Sequence, residues 1–295
     1  MGNDVEFLIK RYGIQNKEQF KEYINKAKII LTTGKKPSNE KTLTIVGGQA
    51  GSGKTTLITI AKNEFDDNAV ILDLVELMAI HPSYKTIVNK YPQKAYWIIQ
   101  KDIDALKIEM ENYIIDNEYN VINEAAFRRA PQIIKLCEKF ANNGYDINLK
   151  LLAVPKLNSL GSIFTRYASK LMLGKSPRWV ELQAHDDSYE GVISLTEELF
   201  NRGLVNNSEV YVRGKEHPEK IYSSQRHEFL NAIEAIRYGR EKGRKDAVDS
   251  FEDKYVFVRS ILAERQPELL DRLDVWKKLY EKERKYVYRT SDKEI

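Results

Sequence analysis

The fold is decided by the stretch Gly48-Gln49-Ala50-Gly51-Ser52-Gly53-Lys54-Thr55. The apolar run 43–46 precedes it, and residues 56–61 read as the start of a helix. This is the full G-x-x-x-x-G-K-T pattern between a strand and a helix, a setting that separates a phosphate-binding loop from a glycine-rich turn that matches by chance. The sequence therefore predicts a site for a nucleoside triphosphate.

The pattern predicts a role for each part of this loop. Glycines let successive backbone N–H groups line a concavity for the β-phosphate at the positive end of the following helix. Lys54 is expected to reach between the β- and γ-phosphates, and the Thr55 hydroxyl to hold Mg²⁺. The expected cofactors are ATP (or GTP) and Mg²⁺, with the cofactor-binding residues Gly48, Gln49, Ala50, Gly51, Ser52, Gly53, Lys54, Thr55 and Thr56.

Composition excludes several classes of protein. Of 295 residues, 42% are hydrophobic and 31% charged, as in an ordinary globular protein with a proper core. The 47 basic residues nearly balance the 43 acidic ones, so charge does not indicate nucleic-acid binding. No segment approaches the roughly 18 uncharged apolar residues of a membrane span. The N-terminus lacks the basic and apolar regions of a secretory signal, so a cytoplasmic location is expected.

Short apolar runs alternate with helical patterns along most of the chain. Residues 5–31 read as one or two helices interrupted at Gly13. Strands are predicted at the apolar run before the loop and at 69–73, 121–124, 149–154 and 209–213. Helices are predicted at 55–64, 95–113, 131–142 and 156–173, and after a loop another helical stretch ends at about residue 202. This alternation predicts a mostly parallel sheet covered by helices on both faces.

The pattern changes at about residue 219. Residues 224–240, 247–264 and 267–286 look purely helical and heavily charged, and their charge runs are typical of solvated helix faces. We therefore divide the chain into a domain of residues 1–218 and a helical C-terminal extension of residues 219–295.

Four further stretches distinguish this loop from those of motor and switch NTPases. They are Asp73 with His81-Pro82-Ser83-Tyr84, Asn123-Glu124-Ala125-Ala126-Phe127-Arg128, Arg166-Tyr167, and Gly174 with Arg178-Trp179-Val180 followed by His185-Asp186. In order and spacing the chain resembles the zeta toxin family, the kinases of bacterial epsilon/zeta toxin–antitoxin systems, over roughly residues 17–215. The resemblance implies an α/β fold with a three-layer P-loop kinase core.

The resemblance also implies an activity and partners. Family members phosphorylate the 3′-hydroxyl on the amino-sugar of UDP-N-acetylglucosamine, so a small nucleotide-sugar acceptor and an epsilon-type antitoxin are the implied partners. Lys54 would be catalytic, and Arg166 and Arg178 correspond to two arginines that clamp the transferring phosphoryl group. Phosphoryl transfer depends mostly on positioning and charge neutralisation, which suits these residue types. The alternative is that each arginine packs its stem over a helix at the surface.

On the acceptor side, the resemblance places a substrate-binding and catalytic glutamate at Glu124 and a substrate-binding arginine at Arg128. One turn apart at the start of a helix, these two could instead form a structural ion pair. Asp73 ends its strand, where α/β sheets keep their ligands, so it is a candidate Mg²⁺-shell and catalytic carboxylate. Glu76 is placed with the substrate-binding residues.

The chain departs from the family at two acceptor-side positions. The family's catalytic base is an Asp two residues after the position of Asp73, and that slot is Val75, which cannot accept a proton. The family's Glu-Gly-Thr segment is here Glu124-Ala125-Ala126. Either Glu76 or Asp73 supplies the base, or the acceptor differs from UDP-N-acetylglucosamine, or transfer to a sugar is largely lost.

Three functions therefore compete. The first is ATP·Mg²⁺-dependent phosphotransfer to a small hydroxylated acceptor, by default a UDP-amino-sugar. The second is a non-catalytic, nucleotide-dependent binding module whose helical tail contacts a partner. The third is a nucleotide- or cofactor-directed kinase that acts as a secreted effector, for which the sequence offers no positive support.

Overall fold

The computed structural model describes residues 3–175, 177, 179–225 and 229–291. The strands are β1 (Thr42–Gly47), β2 (Ala69–Leu72), β3 (Asn120–Ala125), β4 (Asp146–Leu152), β5 (Asn207–Val212) and β6 (Glu219–Ser223). The first helices are α1 (Asn3–Tyr12), α2 (Lys17–Thr32), α3 (Lys54–Glu64), α4 (Leu74–Ile80), α5 (Tyr84–Lys90), α6 (Ala95–Asp116) and α7 (Ala130–Ala141). They are followed by α8 (Lys156–Met172), α9 (Leu182–Asn201), α10 (Ala232–Lys242), α11 (Arg244–Asp249), α12 (Phe251–Arg265), a 3₁₀ helix (Pro267–Arg272) and α13 (Leu273–Ser291).

The six strands form one sheet in the order β2-β3-β1-β4-β5-β6. β2 and β3 are parallel neighbours, whereas β5 and β6 form an antiparallel hairpin. The sheet is thus mostly parallel, and helices alternate with its first five strands, which confirms the predicted α/β class. The central strands are buried along almost their whole length, as expected for a sheet covered on both faces.

The described chain divides into two compact units. The first consists of residues 1–45, 58–124 and 136–148, and the second of residues 46–57, 125–135 and 149–295. The phosphate-binding loop belongs to the second unit, together with α8, α9 and the C-terminal helices. Asp73, Val75, Glu76 and Glu124 belong to the first unit.

In the second unit, the C-terminal helices pack on α8. Phe164 of α8 stacks on Trp276 of α13 with ring centroids 5.2 Å apart, and Phe251 of α12 stacks on Tyr280 at 3.9 Å. The Trp276 indole Nε1 donates to the Leu157 carbonyl oxygen at 3.3 Å. The apolar positions of this segment therefore form a shared core with α8.

Some local predictions differ from the structure. β6 was not predicted, because Glu219-Lys220-Ile221-Tyr222-Ser223 is short and polar and becomes a strand by pairing with β5. Helix α10 begins only at Ala232, where the Asn231 side chain caps it by accepting from the Glu234 N–H, so the helix predicted from 224 starts too early. None of the described helices combines the length and apolar character that crossing a membrane requires.

Candidate active site

The phosphate-binding loop joins β1 to α3 with a backbone that two glycines make possible. Gly51 has φ +77° and Gly53 φ +106°, both in the region that side chains other than glycine avoid. A Cβ on Gly51 would lie 2.1 Å from the Ser159 carbonyl oxygen, so α8 packs directly against the loop backbone. A Cβ on Gly53 would meet no atom within 4 Å, so the space beside the loop backbone is open there.

Lys54 lies at the start of α3 with its ammonium turned onto the loop. It is 8% exposed, and Nζ donates to the carbonyl oxygens of Gly48 at 2.8 Å and Gln49 at 3.2 Å. This arrangement keeps a cation at the loop beside the N–H groups that begin α3. Thr55 and Thr56, the next two residues, are exposed.

Two buried polar atoms of the loop have no hydrogen-bond partner among the described residues. They are Gln49 Oε1 and Ser52 Oγ, on side chains that are 0% and 2% exposed. Buried polar groups are nearly always hydrogen-bonded, so such atoms mark a place where a ligand or water is expected. With the open space beside Gly53 and the Lys54 ammonium, the loop fits a polyphosphate.

Arg213, the residue that follows β5, is hydrogen-bonded to the backbone of this loop. Its Nη2 donates to the carbonyl oxygens of Gly51 at 2.8 Å and Ser52 at 3.4 Å, while Nη1 donates to Ser162 Oγ at 3.0 Å and to Asn158 Oδ1 on α8. Holding these carbonyls outward favours the opposite, inward direction for the neighbouring N–H groups. Arg213 was not among the residues predicted for the site; its place at the end of a strand is the signal that could have revealed it.

Arg166 lies on the same helix as the residues that hold Arg213. Asn158, Ser162 and Arg166 follow at i, i+4 and i+8 along α8, so they share one face of it. Arg166 is exposed and makes no hydrogen bond or ion pair with any described residue. Its guanidinium is available to a ligand. Arg178 lies outside the described residues.

In the first unit, two carboxylates follow neighbouring strands. Leu72 of β2 pairs with Asn123 of β3 in parallel register, so Asp73 and Glu124 come next at the same edge. Strands in a sheet are about 4.8 Å apart, which places these two residues side by side. Asp73 also caps α4, since its Oδ1 accepts from the Val75 N–H at 3.0 Å. Together they form an acidic edge.

Val75 and Glu76 lie in the first turn of α4. The Val75 side chain is 60% exposed and offers no proton acceptor. Burial, and then the nearby Asp73 charge, raise the pKa of Glu76, while Lys62 opposes the shift. Glu76 also lines a cavity of about 500 Å³ whose wall includes Lys26, Lys35 and Lys62. The raised pKa of this carboxylate is what a general base requires, so Glu76 stays a candidate base.

The acceptor-side arginine is not on a helix. Glu124 belongs to β3 and α7 begins only at Ala130, so the premise of an ion pair one helical turn long between Glu124 and Arg128 is wrong. Arg128 is exposed and makes no hydrogen bond or ion pair with any described residue. It follows Phe127, which is buried with φ +54°. The left-handed turn at Phe127 thus presents Arg128 to solvent.

The acidic residues do not form a dedicated metal cage. Within the described ranges, no three His, Cys, Asp or Glu side chains cluster in a way that would hold an ion. Mg²⁺ in phosphate-transfer sites is held by one or two protein ligands and the phosphates themselves. The exposed Thr55 hydroxyl and the Asp73 carboxylate are donors of the right kind.

Comparisons with known proteins agree on one family. Residues 28–227 match the sequence model of the Zeta toxin family. Toxin zeta of Enterococcus hirae is 28% identical over 219 residues, 73% of this chain and 74% of the relative. Toxin PezT of Streptococcus pneumoniae is 24% identical over 198 residues, 67% of this chain and 78% of the relative.

A solved structure gives the same result for the fold. A structure from the PezAT chromosomal toxin–antitoxin system of Streptococcus pneumoniae superposes with a TM-score of 0.69 at 21% identity, covering 83% of this chain and 97% of that one. At this identity the likeness shows the fold alone. The family match, however, extends over more than half of the sequence, and the chain therefore belongs to the zeta toxin family, whose members are kinase-like enzymes.

Proposed function

We propose that this chain transfers the γ-phosphoryl group of ATP, with Mg²⁺, to a hydroxyl of a small acceptor, by default a UDP-amino-sugar such as UDP-N-acetylglucosamine. The proposal rests on the structure of the phosphate-binding loop. Open space beside Gly53, the Lys54 ammonium and the unpartnered Ser52 hydroxyl occur together in it. Such a loop is suited to a polyphosphate, and the nucleotide-sugar acceptor comes from family membership alone.

Each residue contributes positioning or charge. Bound ATP·Mg²⁺ supplies the phosphoryl group and a divalent charge on its oxygens. Lys54 would exchange its carbonyl partners for phosphate oxygens, and Arg166 would neutralise negative charge on the group in transfer. Arg178 would act with Arg166 if the family's pair is retained. Thr55 and Asp73 would hold the metal.

The acceptor side carries the specificity. Glu124 and Arg128 would bind the sugar or its diphosphate, since a carboxylate accepts from hydroxyls and a guanidinium binds phosphate oxygens. The acceptor's proton must pass to a carboxylate other than the family's Asp. Glu76, with its raised pKa, suits this role better than Asp73, which already caps α4.

Val75 favours a second candidate, a nucleotide-binding module with weak transfer. An exposed valine in the base slot leaves that position without a proton acceptor. A general base contributes about 10²–10⁴-fold, so its loss slows transfer without abolishing it. The two candidates differ in rate on the family's acceptor, not in nucleotide binding.

One assay separates the candidates. Purified protein is incubated with γ-labelled ATP, Mg²⁺ and a panel of UDP-sugars, free sugars and dinucleotides, and labelled products are resolved. Product on a UDP-amino-sugar supports the proposal, and product on another acceptor redefines the substrate. Tight ATP binding without product favours the module. Lys54→Ala serves as the inactive control, with Lys278→Ala, an exposed lysine of α13, as its matched control.

Family membership also suggests an antitoxin partner and a cytoplasmic site of action. Induced expression in a bacterial host should then arrest growth, because the acceptor is a cell-wall precursor. Lys54→Ala should relieve the arrest at equal protein level. Growth arrest by the Lys54→Ala variant would show that the toxicity does not come from phosphotransfer.

A further inference from the structure

A chain of hydrogen bonds, buried except at Asp186, leads from α9 through α8 to the phosphate-binding loop, all within the second unit. His185 Nδ1 lies 3.1 Å from Asp186 Oδ1, and His185 Nε2 lies 2.8 Å from Ser159 Oγ. Gln49 Nε2 donates to the same Ser159 oxygen at 3.2 Å and to the Val154 carbonyl oxygen at 2.9 Å. Gln49, Ser159 and His185 are each 0% exposed.

The direction of each hydrogen bond follows from the charges around the histidine. Burial opposes ionisation of Asp186, but hydrogen bonds from Lys156 and His185 lower the pKa of Asp186, so it is a carboxylate and accepts. His185 Nδ1 therefore carries a proton. Burial lowers the pKa of His185 against the pull of Asp186, with Lys156 and Arg240 adding to the effect. A neutral ring with its proton on Nδ1 has an acceptor at Nε2.

Ser159 links His185 to Gln49 of the loop through two hydrogen bonds. Its hydroxyl proton goes to His185 Nε2, the nearest acceptor, in preference to the Lys156 carbonyl oxygen at 3.1 Å. The lone pairs of Ser159 Oγ are thereby left for the Gln49 amide. Because Ser159 is fully buried and its oxygen is occupied by Gln49, this Ser–His–Asp arrangement is a fixed structural chain and not a nucleophile with its base.

Gln49 is the point at which the chain acts on the nucleotide site. Its backbone carbonyl accepts from the Ser52 N–H at 3.2 Å and from Lys54 Nζ at 3.2 Å. Fixing the Gln49 side chain to α8 and to the segment that follows β4 therefore fixes the turn that closes the loop and the carbonyl that accepts from Lys54.

We infer that His185 is a positioning residue for the phosphate-binding loop, acting through Ser159 and Gln49 to hold the loop in its nucleotide-binding conformation. The inference rests on the proposed function for its nucleotide, ATP. It deepens that function by naming residues that contact neither the phosphates nor the acceptor. It also gives a role to an imidazole that is 0% exposed and hydrogen-bonded to Ser159.

Two isosteric variants of His185 test the hydrogen bond itself. His185→Gln can place an amide oxygen near the position of Nε2 and so accept from Ser159. His185→Asn reaches only the position of Nδ1. We expect His185→Asn to weaken ATP affinity about fivefold, the effect of one lost hydrogen bond, with a smaller change in kcat. His185→Gln should retain most of the wild-type affinity for ATP.

Ser159→Ala supplies a second test with little change in volume. It should weaken ATP binding to the same extent, and the double variant with His185→Asn should be no worse than either single variant, because both remove the same link. Ser169→Ala, a serine of α8 outside this network, is the matched control.

Hydrogen exchange tests the loop without any nucleotide. Amides of residues 47–53 should exchange about fivefold faster in His185→Asn and Ser159→Ala than in the wild type, while β2 amides are unchanged. Uniformly faster exchange, or unaltered loop exchange and ATP affinity in both variants, overturns the inference. Failure of the wild type to bind ATP would instead contradict the proposed function, and the exchange result would still decide the role of His185.

Discussion

The guanidinium of Arg213 donates a 2.8 Å hydrogen bond to the carbonyl oxygen of Gly51. Gly51 is in the middle of the phosphate-binding loop, and Arg213 follows β5, 162 residues later. The contact turns a backbone carbonyl away from the inner side of the loop. A distant arginine thus stabilises the direction in which the loop amides point.

Arg213→Ala should therefore weaken nucleotide binding. The charge-assisted bonds to the Gly51 and Ser52 carbonyls are lost, and we expect Kd for ATP to rise about tenfold. Isothermal titration with ATP·Mg²⁺ measures the change. Arg237→Ala, an exposed arginine of α10, should leave Kd unchanged. Equal affinity of wild type and Arg213→Ala would show that the loop keeps its shape without this anchor.

Arg166→Ala should lower kcat and leave the fold intact. The side chain is exposed and makes no hydrogen bond or ion pair with a described residue, so its removal should cost little stability. Loss of a cation that neutralises charge in the transition state costs about 10²–10³-fold in kcat. Single-turnover transfer from labelled ATP measures this effect, and thermal unfolding checks the fold. An unchanged rate would remove Arg166 from the mechanism.

The local part of the site could be predicted from the sequence, and the distant part could not. The loop at 48–55 is a continuous pattern whose chemistry depends on neighbouring residues, so its role follows from spacing alone. Arg213 and Ser159 act on that loop from positions more than 100 residues away. No periodicity reveals which distant polar side chain will meet a backbone carbonyl.

The C-terminal region, residues 219–295, was also only partly predictable from the sequence. The sequence predicted that residues 219–295 are helical, but not what these helices pack against. In the structure the partner is α8, the helix that carries Ser159 and Arg166. Whether residues 219–295 fold as a separate domain stays a prediction, because amphipathic helices show which face is buried and not what buries it.

Trp276→Ala should destabilise the protein strongly. The indole is 1% exposed and stacks on Phe164, so its removal leaves a large cavity and costs about 3–5 kcal/mol. For a protein of this size we expect Tm to fall by about 10 °C. Trp276→Phe keeps an aromatic ring against Phe164 and loses the bond to Leu157 with part of the ring volume, so its Tm should fall less than that of Trp276→Ala. Equal losses in the two variants would contradict this account.

Glu76→Gln should change stability in a pH-dependent way. Because burial and Asp73 raise the pKa of Glu76 in the folded chain, the folded state binds this proton more tightly than the unfolded state. The associated stability is present below the unfolded pKa and is lost as pH rises through the folded pKa. The variant should therefore melt about 1–2 °C above wild type at neutral pH, a small effect because Glu76 is partly solvated.

The same variant tests Glu76 as the base. If Glu76 accepts the proton of the acceptor hydroxyl, Glu76→Gln should lower the transfer rate about 10²-fold at neutral pH despite its higher Tm. Glu40→Gln, an exposed glutamate before β1, is the control. A transfer rate equal to that of wild type would assign the proton to another group.

Val75→Asp should raise transfer to UDP-N-acetylglucosamine about tenfold or more, because it restores a proton acceptor in the family's base slot. The Val75 side chain is 60% exposed, so the new carboxylate carries little desolvation cost and the fold should be retained. Val75→Asn, of the same size and without the charge, is the control and should give no gain. A gain in both variants would reflect better acceptor binding, whereas no gain in either would show that the acceptor differs from the family's.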